Sequence, residues 1–148
     1  MLMTNLSILT RFSRTFCERK LNDSNIGFTE QSVLQFLSDH DNVNQEAIVK
    51  HFMLDKGSIA KTLSKLEEKA LINRVDNPNN KREKLITITE LGRENSYTYQ
   101  DEIREFHNFL LEGLTMEEIK EFTRIIEIMT QNAIKAVQGR MDEYDSAE

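Results

Sequence analysis

Seven polar side chains carry most of the chemistry this chain offers. Ser58, Lys61, Thr62 and Lys65 recur at helical spacing, and Lys81, Arg82 and Lys84 follow beyond an Asn-Pro-Asn-Asn break. Amines and a guanidinium neutralise phosphates, and hydroxyls bond to base edges or backbone, so this set suits a nucleic-acid duplex. It does not suit catalysis. The sequence has no glycine-rich phosphate loop, no HExxH and no Ser or Cys nucleophile motif with a placed base, so no enzyme is expected.

The formal net charge of −6 looks wrong for a partner of DNA until it is divided along the chain. Residues 56–93 hold nine Lys and Arg against five Asp and Glu, residues 1–55 hold five against seven, and residues 94–148 hold five against thirteen. The excess of cations therefore falls on the segment that carries the candidate contacts, where phosphate neutralisation needs it. A merely solvated helix face would account for charge but not for this segregation.

The elements that must hold those side chains can be read from capping and periodicity. Asp55 is placed to cap a helix with Ile59, Leu63 and Leu66 on its inner face and Ser58, Lys61, Thr62 and Lys65 on the outer one. Leu71 to Asp76 is strand-like, NPNNK is a turn, and Lys84 to Thr89 resumes a strand, which puts Lys81, Arg82 and Lys84 at or near a hairpin tip. Upstream, Asn44 can cap a short helix with Ala47, Ile48 and Phe52 inward, and only Met53 and Leu54 separate it from Asp55. Two short helices joined so tightly make a helix-turn-helix, and the hairpin adds a wing.

Around this lobe the chain reads as helix. Leu6, Leu9, Phe12 and Phe16 mark an amphipathic first helix ending before Asn22 to Gly27, and Thr29 is expected to cap a second that carries Val33, Leu34, Phe36 and Leu37 as far as about His40, with DNVN as a turn. Thr89 precedes a long helix to about Glu112, with Leu91, Ile103, Phe106 and Leu110 as its apolar side. After Gly113, Thr115 and Glu118 form a capping box for a last helix bearing Ile119, Phe122, Ile126, Met129, Ala133 and Val137, and the acidic tail after Arg140 is expected to fray. The expected fold class is mainly α with a small β-hairpin wing: a winged helix-turn-helix lobe over 28–93, and a helical dimerisation region over 1–22 and 94–140. The apolar stripes are wider than a small lobe can cover, which predicts a homodimer.

The residues LDKGSIAKTLSKLEEKALINRVDNPNNKREKLITITELGR, in this order of elements, resemble the MarR family of winged-helix regulators, and the helical plan extends the likeness over nearly the whole chain, 1–148. The resemblance implies a transcriptional regulator, commonly a repressor, that binds a palindromic operator in double-stranded DNA as a homodimer and responds to a small-molecule inducer. It implies that Ser58, Lys61, Thr62 and Lys65 form the recognition-helix face and that Arg82 is the wing arginine near the minor groove. Two positions depart from the family pattern. Asn80 stands where an Asp often orients that arginine, and Ala70 stands where Gly commonly ends the recognition helix.

The remaining residues bound the other possibilities. Phe12, Phe16, Phe36 and Tyr97, with Tyr99 beside them, are candidates to line a ligand cleft between the helical base and the reading lobe, or else they are core. Cys17 is the only cysteine, so no disulfide forms within the chain, and its other reading is a redox sensor. The three His are scattered, so no metal and no cofactor are expected. No apolar run spans a bilayer and no signal region opens the chain, from which a cytoplasmic location is expected. The rival function is a protein-binding winged helix such as an antirepressor, which has no need of cations on both helix and hairpin.

Overall fold

The structure is a computed structural model that describes residues 1–22 and 24–145, the side chains of 138–145 excepted. Six helices and a small sheet follow in the order α1 (Leu2–Leu21), α2 (Phe28–Asp39), β1 (Val43–Asn44), α3 (Gln45–Phe52), α4 (Lys56–Glu68), β2 (Ile72–Asn77), β3 (Asn80–Ile88), α5 (Glu90–Leu110) and α6 (Met116–Asp145). The chain forms two compact units that divide within α5, Met1–Glu105 and the residues from Phe106 onward.

Helices α3 to α6 each begin where a side chain takes up a free backbone N–H group, whereas α1 follows Met1 without a side-chain cap. Asn44 accepts from the Ala47 N–H at 2.8 Å and starts α3, and Asp55 accepts from the Ser58 N–H at 2.8 Å and starts α4. The Thr89 hydroxyl accepts from the Gly92 N–H at 3.0 Å at the head of α5. Thr115 and Glu118 bond reciprocally at the head of α6, as the capping box predicts. The expectation at Thr29 fails. Helix α2 opens two residues earlier, with Gly27 at the cap and its N–H given to the Glu30 carboxylate at 3.4 Å, because Glu30 can reach back where a threonine inside the first turn cannot.

The core of the winged unit gathers Val33, Leu34 and Leu37 of α2, Ile48 of α3, Ile59, Leu63 and Leu66 of α4, and Leu71, Ile72, Ile86 and Ile88 of the hairpin. Each fully buried Leu or Ile contributes roughly 1.5–3 kcal/mol relative to exposure, so α4 is held chiefly by its inner face. On α3 the inward residues are Ile48, Val49 and Phe52, and Ala47 is exposed, contrary to expectation. The DNVN stretch also holds more than a turn. Asn42 takes a left-handed φ of 58°, and Val43 and Asn44 then pair with Ile86 and Leu85, which makes the sheet three-stranded in the order β1-β3-β2.

The hairpin is tighter than its sequence suggests. Asn77 pairs with Asn80, so only Pro78 and Asn79 lie in the turn, while the next pair is Asp76 with Lys84. Lys81, Arg82 and Glu83 therefore have no cross-strand partners on β2 and bulge from the ladder.

Helix α5 buries Gly92 and Ser96 rather than Leu91, which is half exposed. A Cβ on Gly92 would lie 2.2 Å from the Leu71 carbonyl oxygen, so only glycine lets α5 approach the turn after α4. That turn is formed by Ala70 at φ 57°, where the Ala70 N–H bonds to the Glu67 carbonyl and the Leu71 N–H to the Leu66 carbonyl. Alanine adopts the left-handed closure that the family pattern assigns to glycine, and it does so at a cost in strain. Helix α6 runs past Arg140 to Asp145, longer than a frayed tail allows, and residues 146–148 of that tail lie outside the described residues.

Two substitutions measure this junction. Gly92→Ala is expected to destabilise the fold by at least about 2 kcal/mol in urea denaturation, because the clash is with backbone and cannot be relieved by a rotamer change. Ala70→Gly is expected to stabilise it by about 1 kcal/mol through relief of the left-handed alanine. An unchanged midpoint for Gly92→Ala would mean that α5 sits elsewhere.

Candidate nucleic-acid interface

The reading element is built by the α3–α4 turn. Met53 closes α3 in the left-handed region at φ 53°, and Asp55 opens α4 two residues later. Asp55 takes two bonds from one residue, the Ser58 N–H at 2.8 Å and the Ser58 hydroxyl at 2.6 Å. These bonds, the hydroxyl first, hold its carboxyl below the ordinary value of 3.8. A lowered acid contributes fully above its ordinary value and is lost as pH falls through the lowered one, so this cap is intact throughout the neutral range.

On the outer face of α4, Ser58, Lys61 and Lys65 are exposed, and Lys56, Gly57 and Ser64, which the sequence reading passed over, share that exposure. Thr62 does not. It is 8% exposed and its hydroxyl donates to the Ser58 carbonyl at 2.9 Å, because its position in the helix turns the side chain toward α2. Ser58, Lys61, Thr62 and Lys65 share a cleft of about 420 Å³ with Arg14 of α1 and Phe28 of α2.

A buried acid behind this face escaped sequence reading. Glu30 is 6% exposed and meets Lys69 at hydrogen-bond distance and Lys65 at 3.7 Å. Lys69 also donates to the Asn25 carbonyl, so it is a structural cation, and Lys65 is partly committed. No local pattern joins Glu30 to residues 35 and 39 positions away; only the packing of α2 on α4 does.

At the wing, Lys84 pairs with Asp76 and Arg74 with Glu67 at 3.5 Å. Arg82 donates its backbone N–H to the Asn80 side-chain oxygen at 3.2 Å, so Asn80 orders the turn rather than the guanidinium. Among the described residues Lys61, Lys81 and Arg82 form no ion pair, and all three are exposed. Arg82 and Lys84 share a separate cleft of about 300 Å³ with Arg74, Glu46 and Glu83. The structure thus places the predicted residues in two groups, one on α4 and one on the wing.

The four candidate ligand residues part company. Phe36 stacks on His40 with ring centroids 4.5 Å apart and meets His51 at 4.3 Å and Phe52 at 5.8 Å, which commits it to the α2–α3 packing. Phe12 is 60% exposed with Arg11 over its ring, and Tyr97 is 55% exposed. Phe16 lies half buried on α1 with Lys20 5.7 Å over its ring. Burial, then hydrogen bonding to Cys17, raises the Tyr99 phenol above its ordinary value. Among the described residues no group of three His, Cys, Asp or Glu is arranged to hold a metal, and no helix is long and apolar enough to cross a membrane.

A three-helix lobe with a three-stranded wing, its second short helix presenting an ordered cationic face, defines a winged-helix transcriptional regulator. Residues 28–84, most of that lobe, match the model of the MarR family. The chain is 24% identical over 115 residues to the HTH-type transcriptional repressor IacR of Pseudomonas putida, covering 78% of this chain and 69% of that one. The crystal structure of MarR aligns with a TM-score of 0.75 at 27% identity over 92% of each chain. A putative MarR family regulator from Listeria monocytogenes, solved with a 26mer DNA, aligns with a TM-score of 0.82 at 22% identity, covering 88% of this chain and 87% of that one.

The two groups of cations should separate in titrations. Arg82→Ala is expected to weaken all duplexes evenly, about tenfold at moderate salt, and to lower the salt slope by about one. Lys61→Ala should instead flatten the preference for a selected sequence over random duplex, since a helix-face amine meets base edges. A competition assay in which Arg82→Ala changes preference and leaves overall affinity intact would reverse these assignments.

Proposed function

We propose that this regulator binds double-stranded DNA as a homodimer at a palindromic operator and acts as a repressor whose operator affinity a small-molecule inducer lowers. The observation that carries this reading is the set of exposed cations that form no ion pair among the described residues, on two separate elements, Lys61 on α4 and Lys81 and Arg82 on the wing. A helix in the major groove and a wing along the backbone or minor groove use the two groups at once. Ser58 and Lys65 complete the helix contact, with Lys65 exchanging Glu30 for phosphate. Lys84 does the same with Asp76, since a surface ion pair holds it by about 1 kcal/mol at most. Thr62 contributes by holding the helix face in place.

Two apolar surfaces support a second copy. Helix α1 exposes Leu2, Ile8, Leu9 and Phe12, and α6 exposes Phe122, Ile125 and Ile128. Several large exposed apolar side chains on one helix mark an interaction surface, whereas single ones are ordinary. Repression is proposed from the likeness to IacR, which is a repressor by name. Phe12, Phe16 and Tyr97 remain the proposed inducer contacts on α1 and α5, with Phe36 acting on them only through packing. A cytoplasmic site of action accords with a partner that is chromosomal DNA.

The test is selection of bound duplexes from a random pool, with sedimentation of the protein alongside. Inverted half-sites centred about 10 base pairs apart, bound by a dimer, are expected. Ile126→Asp on α6 should shift sedimentation toward monomer and reduce binding to the two-half-site duplex by a hundredfold or more. Recovery of no DNA would favour a protein-binding winged helix, and recovery of single half-sites by a monomer would refute the dimeric reading.

A further inference from the structure

The bulge at Lys81, Arg82 and Glu83 should be the weakest part of the sheet, because three successive residues of the central strand lack ladder partners on β2. A carboxylate fills that gap. Glu83 accepts from the Asn44 side-chain amide at 2.6 Å with one oxygen and from the Asn77 side-chain amide at 2.7 Å with the other. Asn44 belongs to β1 and Asn77 to β2, so one central-strand side chain ties both neighbours at the level where the ladder fails.

Each asparagine is held at its other end. The Asn44 oxygen accepts from the Ala47 N–H at 2.8 Å, which caps α3, and the Asn77 oxygen accepts from the Asn79 N–H at 3.0 Å, which shapes the wing turn. The network therefore runs from the first helix of the helix-turn-helix, through one carboxylate, to the tip of the wing. Both carboxylate oxygens are occupied by neutral amides. Glu83 and Arg82 line the same cleft without forming an ion pair, which leaves the guanidinium available for phosphate.

We infer that Glu83 is the positioning residue of the wing, a clasp that fixes Arg82 relative to α3 and α4 and so raises affinity for DNA although it is itself an anion. This rests on the DNA-binding reading above. Charge alone predicts the opposite sign: removing a carboxylate beside a phosphate-binding cation strengthens binding to a polyanion. The clasp predicts weakening, because Glu83→Gln offers an N–H to an amide that already donates, and one arm breaks.

Reversal of the donor pattern separates geometry from folding damage. Asn44→Asp keeps the helix cap but sets two carboxylates against each other. In the double variant Asn44→Asp, Glu83→Gln the introduced amide oxygen accepts from Asn77 while its N–H donates to the introduced carboxylate on β1, which restores both arms. Affinities are read by fluorescence anisotropy on the duplex selected by the wild-type protein, in wild-type and Arg82→Ala backgrounds. We expect each single variant to weaken binding five- to twentyfold, the double variant to return within about threefold of wild type, and Glu83→Gln to change the Arg82→Ala protein by less than twofold. Unchanged or tighter binding by Glu83→Gln overturns the inference, as does failure of the double variant to recover or an equal loss without Arg82. If Arg82→Ala binds like wild type, the wing contact is refuted and the clasp loses its purpose with it. If the wild-type protein selects no duplex, the DNA-binding reading fails first.

Discussion

Ile59, Leu63 and Leu66 are wholly buried along one side of α4, and every outward group on that helix takes its direction from them. A helix read by a groove must present its side chains at fixed angles, and a close-packed inner face is what denies it rotation. The same burial aims Lys61 and Lys65 outward and turns Thr62 in. The Gly92 approach to Leu71 and the left-handed Ala70 complete the constraint by setting where α4 stops and where α5 can rest.

Charge is apportioned around this frame between cations that hold the fold and cations left free. Lys69 is locked by Glu30 and Asn25, and Arg93 by Asp41 at 2.8 Å and the Ser38 carbonyl, so both stabilise the lobe where desolvation makes pairing necessary. Lys61, Lys81 and Arg82 are exposed and form no ion pair among the described residues, which suits them to neutralise phosphate with counterion release. A net charge of −6 for the whole chain is compatible with this because screening confines electrostatics to about 8 Å at physiological salt. Glu83, which shares a cleft with Arg82, acts through geometry.

Much of this was legible from the residues alone, for a physical reason. Caps and helical periodicity act over three or four residues, so Asp55, Asn44 and the Thr115–Glu118 pair announced the starts of α4, α3 and α6, and Ile59, Leu63 and Leu66 announced the inner face. The order of the motifs carries the resemblance to the MarR family. Local signals misled where two competed: at Thr29, Glu30 could reach the backbone of Gly27 and won, and at Ala47 the helix was phased one residue away from the expected face.

Tertiary structure alone decided what depends on distant partners. Burial of Thr62 follows from where α2 lies, the strand β1 exists because β3 was there to pair with it, and Phe36 was drawn into a cluster with two histidines and Phe52. Glu30 and Glu83 read as ordinary surface acids in the chain, yet one holds the end of the recognition helix and the other spans three strands. Their partners are 35 and 39 residues away for Glu30, and Asn44, the far partner of Glu83, is 39 residues away. Sequence spacing cannot express such pairings, because they arise only after the core has brought the elements together.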